Sequence, residues 1–460
     1  MSKFNNVKAL ETVARPPVDL PRPTPLPSPA SKPRPVAPAQ APALSGAPTW
    51  VQRLCFVLLC AYLLSGYLNE FAWHFFTEKA YLTIFCLISL PLVWLFTGQS
   101  FRVLRTPLGL CWAGFGLWLV LATPFSVWRG GSLSLLTNYF PRDFSVCFFI
   151  TACVVSVRQC RQLLQVLATG AFLVLILCLW YGSAETGRFA IPNSIFYSNA
   201  NELALQLCLG IAYVTVLLSA RPRWKAAGGA IVLGLTFYLL KTGSRGVFLA
   251  LISLIVVLVL LSRHRLQVIL VSVPVLLVAL FLIPAEMRNR LFFIEIDPSS
   301  VVVHNTEEAT SLSSQMQREH LLRQSVELTL AHPLFGVGPG EFMVAAAGEA
   351  EKFGKPAEWR GTHNSYTEVS SEAGLPAFGF YLTAILMALW LNLRRFRQAS
   401  KLPAQQEIAN LSRILFAACW IYAVGTFFFH VALTGYLPLL LGMTVALELA
   451  ARPILASKPS

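Results

Sequence analysis

His363 stands in the run Arg360-Gly361-Thr362-His363-Asn364-Ser365-Tyr366, just ahead of a long apolar stretch. An imidazole titrates near neutral pH, so it could take a proton from an attacking hydroxyl. A histidine in that position could equally cap a helix. Arginines recur at the edges of other apolar stretches. Arg188 follows Gly187, Arg245 lies in Thr242-Gly243-Ser244-Arg245-Gly246, Arg288 and Arg290 follow a run ending near Ile283, and Arg318 sits in Gln317-Arg318-Glu319-His320. A guanidinium meets a phosphate with two parallel hydrogen bonds and keeps its charge, so several converging arginines would suit a pyrophosphate. Each could instead snorkel to a membrane interface or pair with an acid.

Other candidates are weaker. His320 has little context, and His332 precedes Pro333, where a helix-end role is the default. His74, His304 and His430 have no supporting context. No DxD pair, HExxH or Cys/His cluster accompanies the arginines, so neither a metal nor a cofactor is indicated. Gly336-Val337-Gly338-Pro339-Gly340 lacks the Gly-Lys-Ser/Thr ending of a phosphate-binding loop and reads as a shaped turn.

The scaffold that must position these residues is apolar. The 460 residues are 55% hydrophobic and 13% charged, with mean hydropathy +0.61. A soluble domain carries roughly a quarter charged residues. Long continuous apolar runs indicate an all-α polytopic membrane protein, not an alternating β-barrel. Residues 1–49 hold twelve of the 29 prolines and read as a disordered cytoplasmic tail without a signal peptide. The ten cysteines lie in or beside apolar segments without a CxxC pair. Free buried thiols are expected in place of disulfides.

About twelve transmembrane helices follow, near 51–69, 80–97, 108–122, 143–157, 162–182, 200–219, 226–241, 246–262, 266–283, 376–393, 413–430 and 436–451. Lysine and arginine set their orientation. With both termini cytoplasmic, the cytoplasmic pieces hold 23 of the 36 basic residues but only Glu11, Asp19, Glu407 and Glu448 among the acids. The net charge of +14 therefore follows a topology, which argues against a nucleic-acid partner. The organisation is a tail over 1–49, spans one to nine over 50–283, one large external loop over 284–375, spans ten to twelve over 376–452, and a short cytoplasmic end over 453–460. Within the loop, Ser314 and Gln317 could open a helix as a capping box. Leu322, Val326 and Leu330 form one apolar stripe at i+4 spacing, with Arg318 one turn earlier on the same face.

Four ordered stretches resemble the O-antigen ligase/polymerase family of bacterial envelope glycosyltransferases. They are Gly187-Arg188-Phe189 with Pro192-Asn193; Ser244-Arg245-Gly246; Arg318 through His332-Pro333-Leu334-Phe335-Gly336-Val337-Gly338; and His363-Asn364-Ser365-Tyr366 with Glu372-Ala373-Gly374-Leu375. The resemblance covers about residues 185–380. It implies a C-type glycosyltransferase-like fold in a bacterial inner membrane. It also implies a donor glycan on undecaprenyl pyrophosphate, and an acceptor that is lipid A core oligosaccharide for a ligase or a second lipid-linked glycan for a polymerase. By the same resemblance His363, Arg245 and Arg318 are the catalytic residues, and Arg188, Arg288, Asn364 and Tyr366 contact substrate.

Such a donor carries its own activated leaving group, so the protein need only neutralise charge on the departing phosphate and orient one hydroxyl. A ligase is the leading reading, with a polymerase or a protein-directed transferase of the same family open. A transporter or flippase is the alternative from another class. It would place ionisable groups within its spans and show paired repeats. The sequence instead concentrates polar mass in one loop.

Overall fold

A computed structural model of the protein describes residues 49–76, 81–184, 188–194, 197–219, 222–262, 265–285, 288, 291, 306–352, 354 and 359–456. The expected tail over 1–49 and Arg290 lie outside the described residues, apart from Thr49 at the start of the first helix. What is described is helical, joined by short turns, with a single isolated β-bridge between Ser183 and Ala190.

The helices are α1 Thr49–Phe76, α2 Tyr81–Leu95, α3 Pro107–Ala122, α4 Arg129–Tyr139, α5 Val146–Cys153, α6 Val157–Tyr181, α7 Ala200–Val214, α8 Pro222–Lys241, α9 Arg245–Leu261, α10 Arg265–Leu282, α11 Thr306–Ala331, α12 Phe342–Lys352, α13 Ser365–Ala399, α14 Gln406–Gly425 and α15 Tyr436–Ala456. Their starts follow local chemistry. Thr106 accepts from Gly109 N–H at 3.1 Å with Pro107 in the first turn, Ser156 accepts from Gln159 N–H, and Asn199 accepts from Asn201 N–H. Each side chain satisfies a backbone donor that the first helical turn leaves without a partner.

Among the described residues, eight helices are long and apolar enough to cross a membrane, and Ile84–Leu95 and Arg245–Leu261 are shorter apolar helices. This is a polytopic helical membrane protein. The expected fourth span over 143–157 is not one regular helix. It begins in a π-helical turn over Phe140–Phe144 and continues as the eight-residue, buried α5. The π turn contains Pro141 and stacks Phe144 on Trp112 at 4.9 Å, and Phe115 stacks on the same indole at 5.1 Å.

Two further expectations change. Cys55 and Cys153 are joined in a disulfide, where free thiols were expected. Their Cα atoms lie 5.7 Å apart because α1 packs against α5 at that level, which neither residue's own periodicity reveals. The other eight cysteines are free. The proposed capping box at Ser314 does not open a helix, because α11 already begins at Thr306. The apolar stripe falls on α11 but beside its buried face. The buried face of α11 is Leu321, Ser325, Leu328 and Thr329, packed on Val337, Phe342 and Ala346 and against α13. Leu322, Val326 and Leu330 lie on its open flank, 42%, 44% and 71% exposed.

The large polar segment and the tenth span share one helix. α13 spans Ser365 to Ala399 as two helical stretches joined at a kink at Gly374, with φ +80° and ψ 175°, two residues before Pro376. Side chains rarely tolerate that φ, and a Cβ at Gly374 would lie 2.2 Å from the Leu334 carbonyl oxygen. The kink receives the glycine turn. Val337 N–H donates to Ser371 O, Gly338 N–H to Glu372 O, and Leu375 N–H to Pro333 O, each at 2.8 Å. The turn over 336–340 is thus a packed joint between α11 and α13.

Candidate functional site

His363 lies one residue outside α13, in a left-handed backbone conformation with φ +52°. The capping role that His363 could have filled belongs to Asn364. Its Oδ1 accepts from Tyr366 N–H at 2.9 Å and Thr367 N–H at 3.2 Å. The imidazole is left to face its surroundings. His430, which the sequence gave no reason to choose, supplies part of them. The two imidazole rings meet edge to face with centroids 5.1 Å apart.

The segment carrying His430 links α14 to α15 and is held on the first turn of α13. Ser365 N–H donates to Thr426 O at 2.9 Å. Ser365 Oγ donates to Phe429 O at 2.9 Å and accepts from Val431 N–H at 2.8 Å. Glu368 Oε2 accepts from Ala432 N–H at 3.0 Å. One turn further on, the Glu372 carboxylate accepts from Gly340 N–H at 2.7 Å and Phe342 N–H at 3.4 Å. Two buried carboxylates, one turn apart on the same face of α13 before its kink, thus each pin a loop to that helix. Their i, i+4 spacing just before Gly374 and the apolar run that follows it was the available signal.

Arg318 and Arg360 complete the electrostatics. Arg360 donates to Gln317 Oε1, tying the segment before His363 to α11. Burial, then the His430, Arg318 and Arg360 charges, hold the His363 pKa down to about 4 from the ordinary 6.5. Burial also lowers that of His430. Both imidazoles are therefore neutral at pH 7, and the site's fixed charge is the two guanidinium groups.

Arg245 reaches this end of the bundle by another route. It opens α9 after a turn at Gly243, where φ is +62°. The next residue, Gly246, lies under Phe428, so close that a Cβ there would sit 2.3 Å from the ring's Cγ. Phe428 is two residues from His430. Gly361 repeats the device, since its Cβ would lie 2.7 Å from His430 Nε2. Only glycines allow these approaches. Behind Arg245, Arg188 Nε donates to Thr242 O at 3.0 Å and its Nη2 to Asn201 Oδ1 at 2.8 Å. Ser244 Oγ donates to the same Asn201 oxygen at 3.0 Å. Arg188 thus braces the turn that presents Arg245.

The remaining expected residues are placed differently. Tyr366 is buried, with its hydroxyl donating to Ala423 O at 2.7 Å and its ring against Phe427. Arg288 follows α10, with its backbone N–H bonded to Pro284 O, and joins none of the hydrogen bonds described above. His320 and His332 are exposed. His74 and His304 have no described side chain. Among the described residues no group of three His, Cys, Asp or Glu side chains is arranged to hold a metal ion.

Fold and site together define a multi-pass membrane protein with a histidine–arginine cluster at one end of its helical bundle. Residues 229–382 match the family described as O-antigen ligase. The match runs from α8 to beyond the kink of α13. It includes Arg245, Arg288, Arg318 and His363, and excludes Arg188 and His430. Over that stretch, about a third of its length, the chain is similar to the O-antigen ligase family. No curated protein matches it.

Proposed function

We propose that this protein is a glycosyltransferase that moves a glycan from a polyprenyl pyrophosphate to an acceptor hydroxyl. Undecaprenyl pyrophosphate is the carrier, lipid A core oligosaccharide the acceptor, and the external face of a bacterial inner membrane the place. The observation that carries this reading is a neutral His363 in the field of Arg318 and Arg360, with the turn that bears Arg245 packed under Phe428, two residues from His430. In this reading the external face is the end of α13 that carries His363, and Arg394, from an expected cytoplasmic loop, lies toward the other end of that helix.

In the proposed reaction the acceptor oxygen attacks the anomeric carbon. A carbon–oxygen bond forms, and the bond from that carbon to the pyrophosphate oxygen breaks. His363 takes the hydroxyl proton. Arg245 and Arg318 bind the anionic pyrophosphate as it leaves with the bonding electron pair. Arg188 orients Arg245 through Thr242 and Ser244. Asn364 fixes the backbone that holds His363 outside the helix, and Tyr366 anchors the same turn from below. Arg288 contacts the donor from the approach to the site. The step needs no metal, because the arginines supply the positive charge. A single displacement inverts the anomeric configuration. Anomer analysis of donor and product tests that point, and retention would refute it.

The test is a comparison of lipopolysaccharide and lipid-linked glycan in cells lacking the protein and in complemented cells. A ligase leaves lipid A core bare while long glycan accumulates on the carrier. Single repeats on the core would identify the polymerase reaction. Unchanged profiles would reject both and favour a transporter or another glycan pathway.

A further inference from the structure

α11 carries two apolar flanks and only one of them is covered. Leu321 and Leu328 are buried against Val337, Phe342 and Ala346, and Thr329 bonds to Ser370 at 2.9 Å. The second flank, Leu322, Val326 and Leu330, repeats every fourth residue and is open along its whole length. At 1.5 Å per residue the stripe extends for about 12 Å. The third face is polar, with Arg323 Nε bonded to Glu327 Oε1 at 3.1 Å and His320 exposed. An open apolar flank beside a charged one is the pattern of a helix lying in a membrane interface.

The stripe leads toward exposed apolar surface on a helix long and apolar enough to cross a membrane. Past Leu330 the chain turns through Pro333, Leu334 and Phe335. The Phe335 ring stacks on Phe125 at 4.1 Å and on Trp118 at 5.5 Å. Both partners belong to the membrane-spanning segment Pro107–Phe125, whose Leu117, Val120 and Leu121 are exposed. Leu334 and Leu375 are exposed at the same junction, and Leu375 leads into the membrane-spanning part of α13. One turn before Leu322, at the other end, stands Arg318.

We propose that α11 is an interfacial helix. Its Leu322–Val326–Leu330 flank rests in the acyl region of the bilayer and its Arg323–Glu327 face in water. The helix thereby holds Arg318 at the depth of lipid headgroups. That last consequence rests on the proposed function, since it is where the pyrophosphate of a membrane-embedded donor lies. Lipid is the occupant because the stripe leads toward that exposed apolar surface of a helix able to cross a membrane.

The test uses the full chain in phospholipid nanodiscs. An environment-sensitive fluorescent amino acid replaces Val326, Leu330, Arg323 or Glu327 in turn, and the lipids carry bromine on their acyl chains. Bromine quenches only on contact. The expected result is quenching at Val326 and Leu330 at least about threefold stronger than at Arg323 and Glu327. Leu330 serves as the reading position if the label at Val326 prevents folding. Equal quenching at all four positions, or none at Val326 and Leu330, overturns the proposal. Probes at Val326 and Leu330 shielded from water but untouched by bromine would assign the flank to a second copy or another protein, and also overturn it. Fluorescence reads membrane contact alone, so failure of the glycosyltransferase reading would leave this result standing.

Discussion

Gly246→Ala tests whether Arg245 and the His363–His430 cluster work as one site. A Cβ at this position would lie 2.3 Å from Phe428 Cγ and 2.4 Å from Phe428 Cβ, whereas ordinary contact begins at 3.4 Å. The start of α9 and the Phe428 segment must therefore separate by about 1.1 Å, and rotation of the ring cannot relieve a clash with its own Cβ. A displacement of about 1 Å within a reacting constellation costs about 10²-fold in rate, equivalent to about 2.7 kcal/mol of activation free energy. The assay is glycan transfer from lipid-linked donor in membranes, normalised to the amount of folded protein. Gly229→Ala is the control, because nothing lies within 4 Å of a Cβ there on α8. It should keep full activity and match or exceed wild-type stability. Full transfer by Gly246→Ala, alongside inactivity of Arg245→Ala, would show that Arg245 does not need this approach and would refute the reasoning.

Three further outcomes follow from the same geometry. The acid limb of kcat/KM, which reports the free enzyme, should fall near pH 4, and that of kcat should lie higher because bound pyrophosphate neutralises the arginines around His363; coincident limbs would contradict this. Because the unfolded imidazole titrates near 6.5 and the folded one near 4, the His363 contribution to stability is complete above pH 6.5 and lost as pH falls toward 4. Thermal unfolding of wild type against His363→Phe over that range should show a smaller acid loss in the variant. Ser365→Ala removes the acceptor of Val431 N–H and the donor to Phe429 O, so it should lower stability by about 1–3 kcal/mol and reduce transfer. An unchanged melting temperature would show that this clamp does not hold the His430 segment.

Most of the apolar scaffold was legible because hydropathy reports individual helices directly. What hydropathy cannot report is which side of a helix meets another. The stripe at Leu322, Val326 and Leu330 has faultless helical spacing, yet the buried flank is the neighbouring one, where Ser325 and Thr329 interrupt the apolar pattern. A membrane protein can turn apolar residues outward, so periodicity alone does not separate core from lipid. Cys55 and Cys153 were misread for a related reason, since their pairing depends on how α1 and α5 cross. At the site, His363 was readable from its polar run before a span. His430 was not, because Phe427-Phe428-Phe429-His430-Val431 looks like the end of an apolar helix. Only the hydrogen bonds from Ser365 and Glu368 bring it to His363.

The most direct measurement is transfer by the purified protein in lipid vesicles, with a defined glycan on undecaprenyl pyrophosphate and lipid A core as acceptor. Wild type should release undecaprenyl pyrophosphate and glycosylate the acceptor one for one. His363→Ala and Arg318→Ala should each lose about 10²–10³ in rate while remaining folded. Donor left intact by wild type, or full transfer by both variants, would contradict a glycosyltransferase site built on His363 and Arg318.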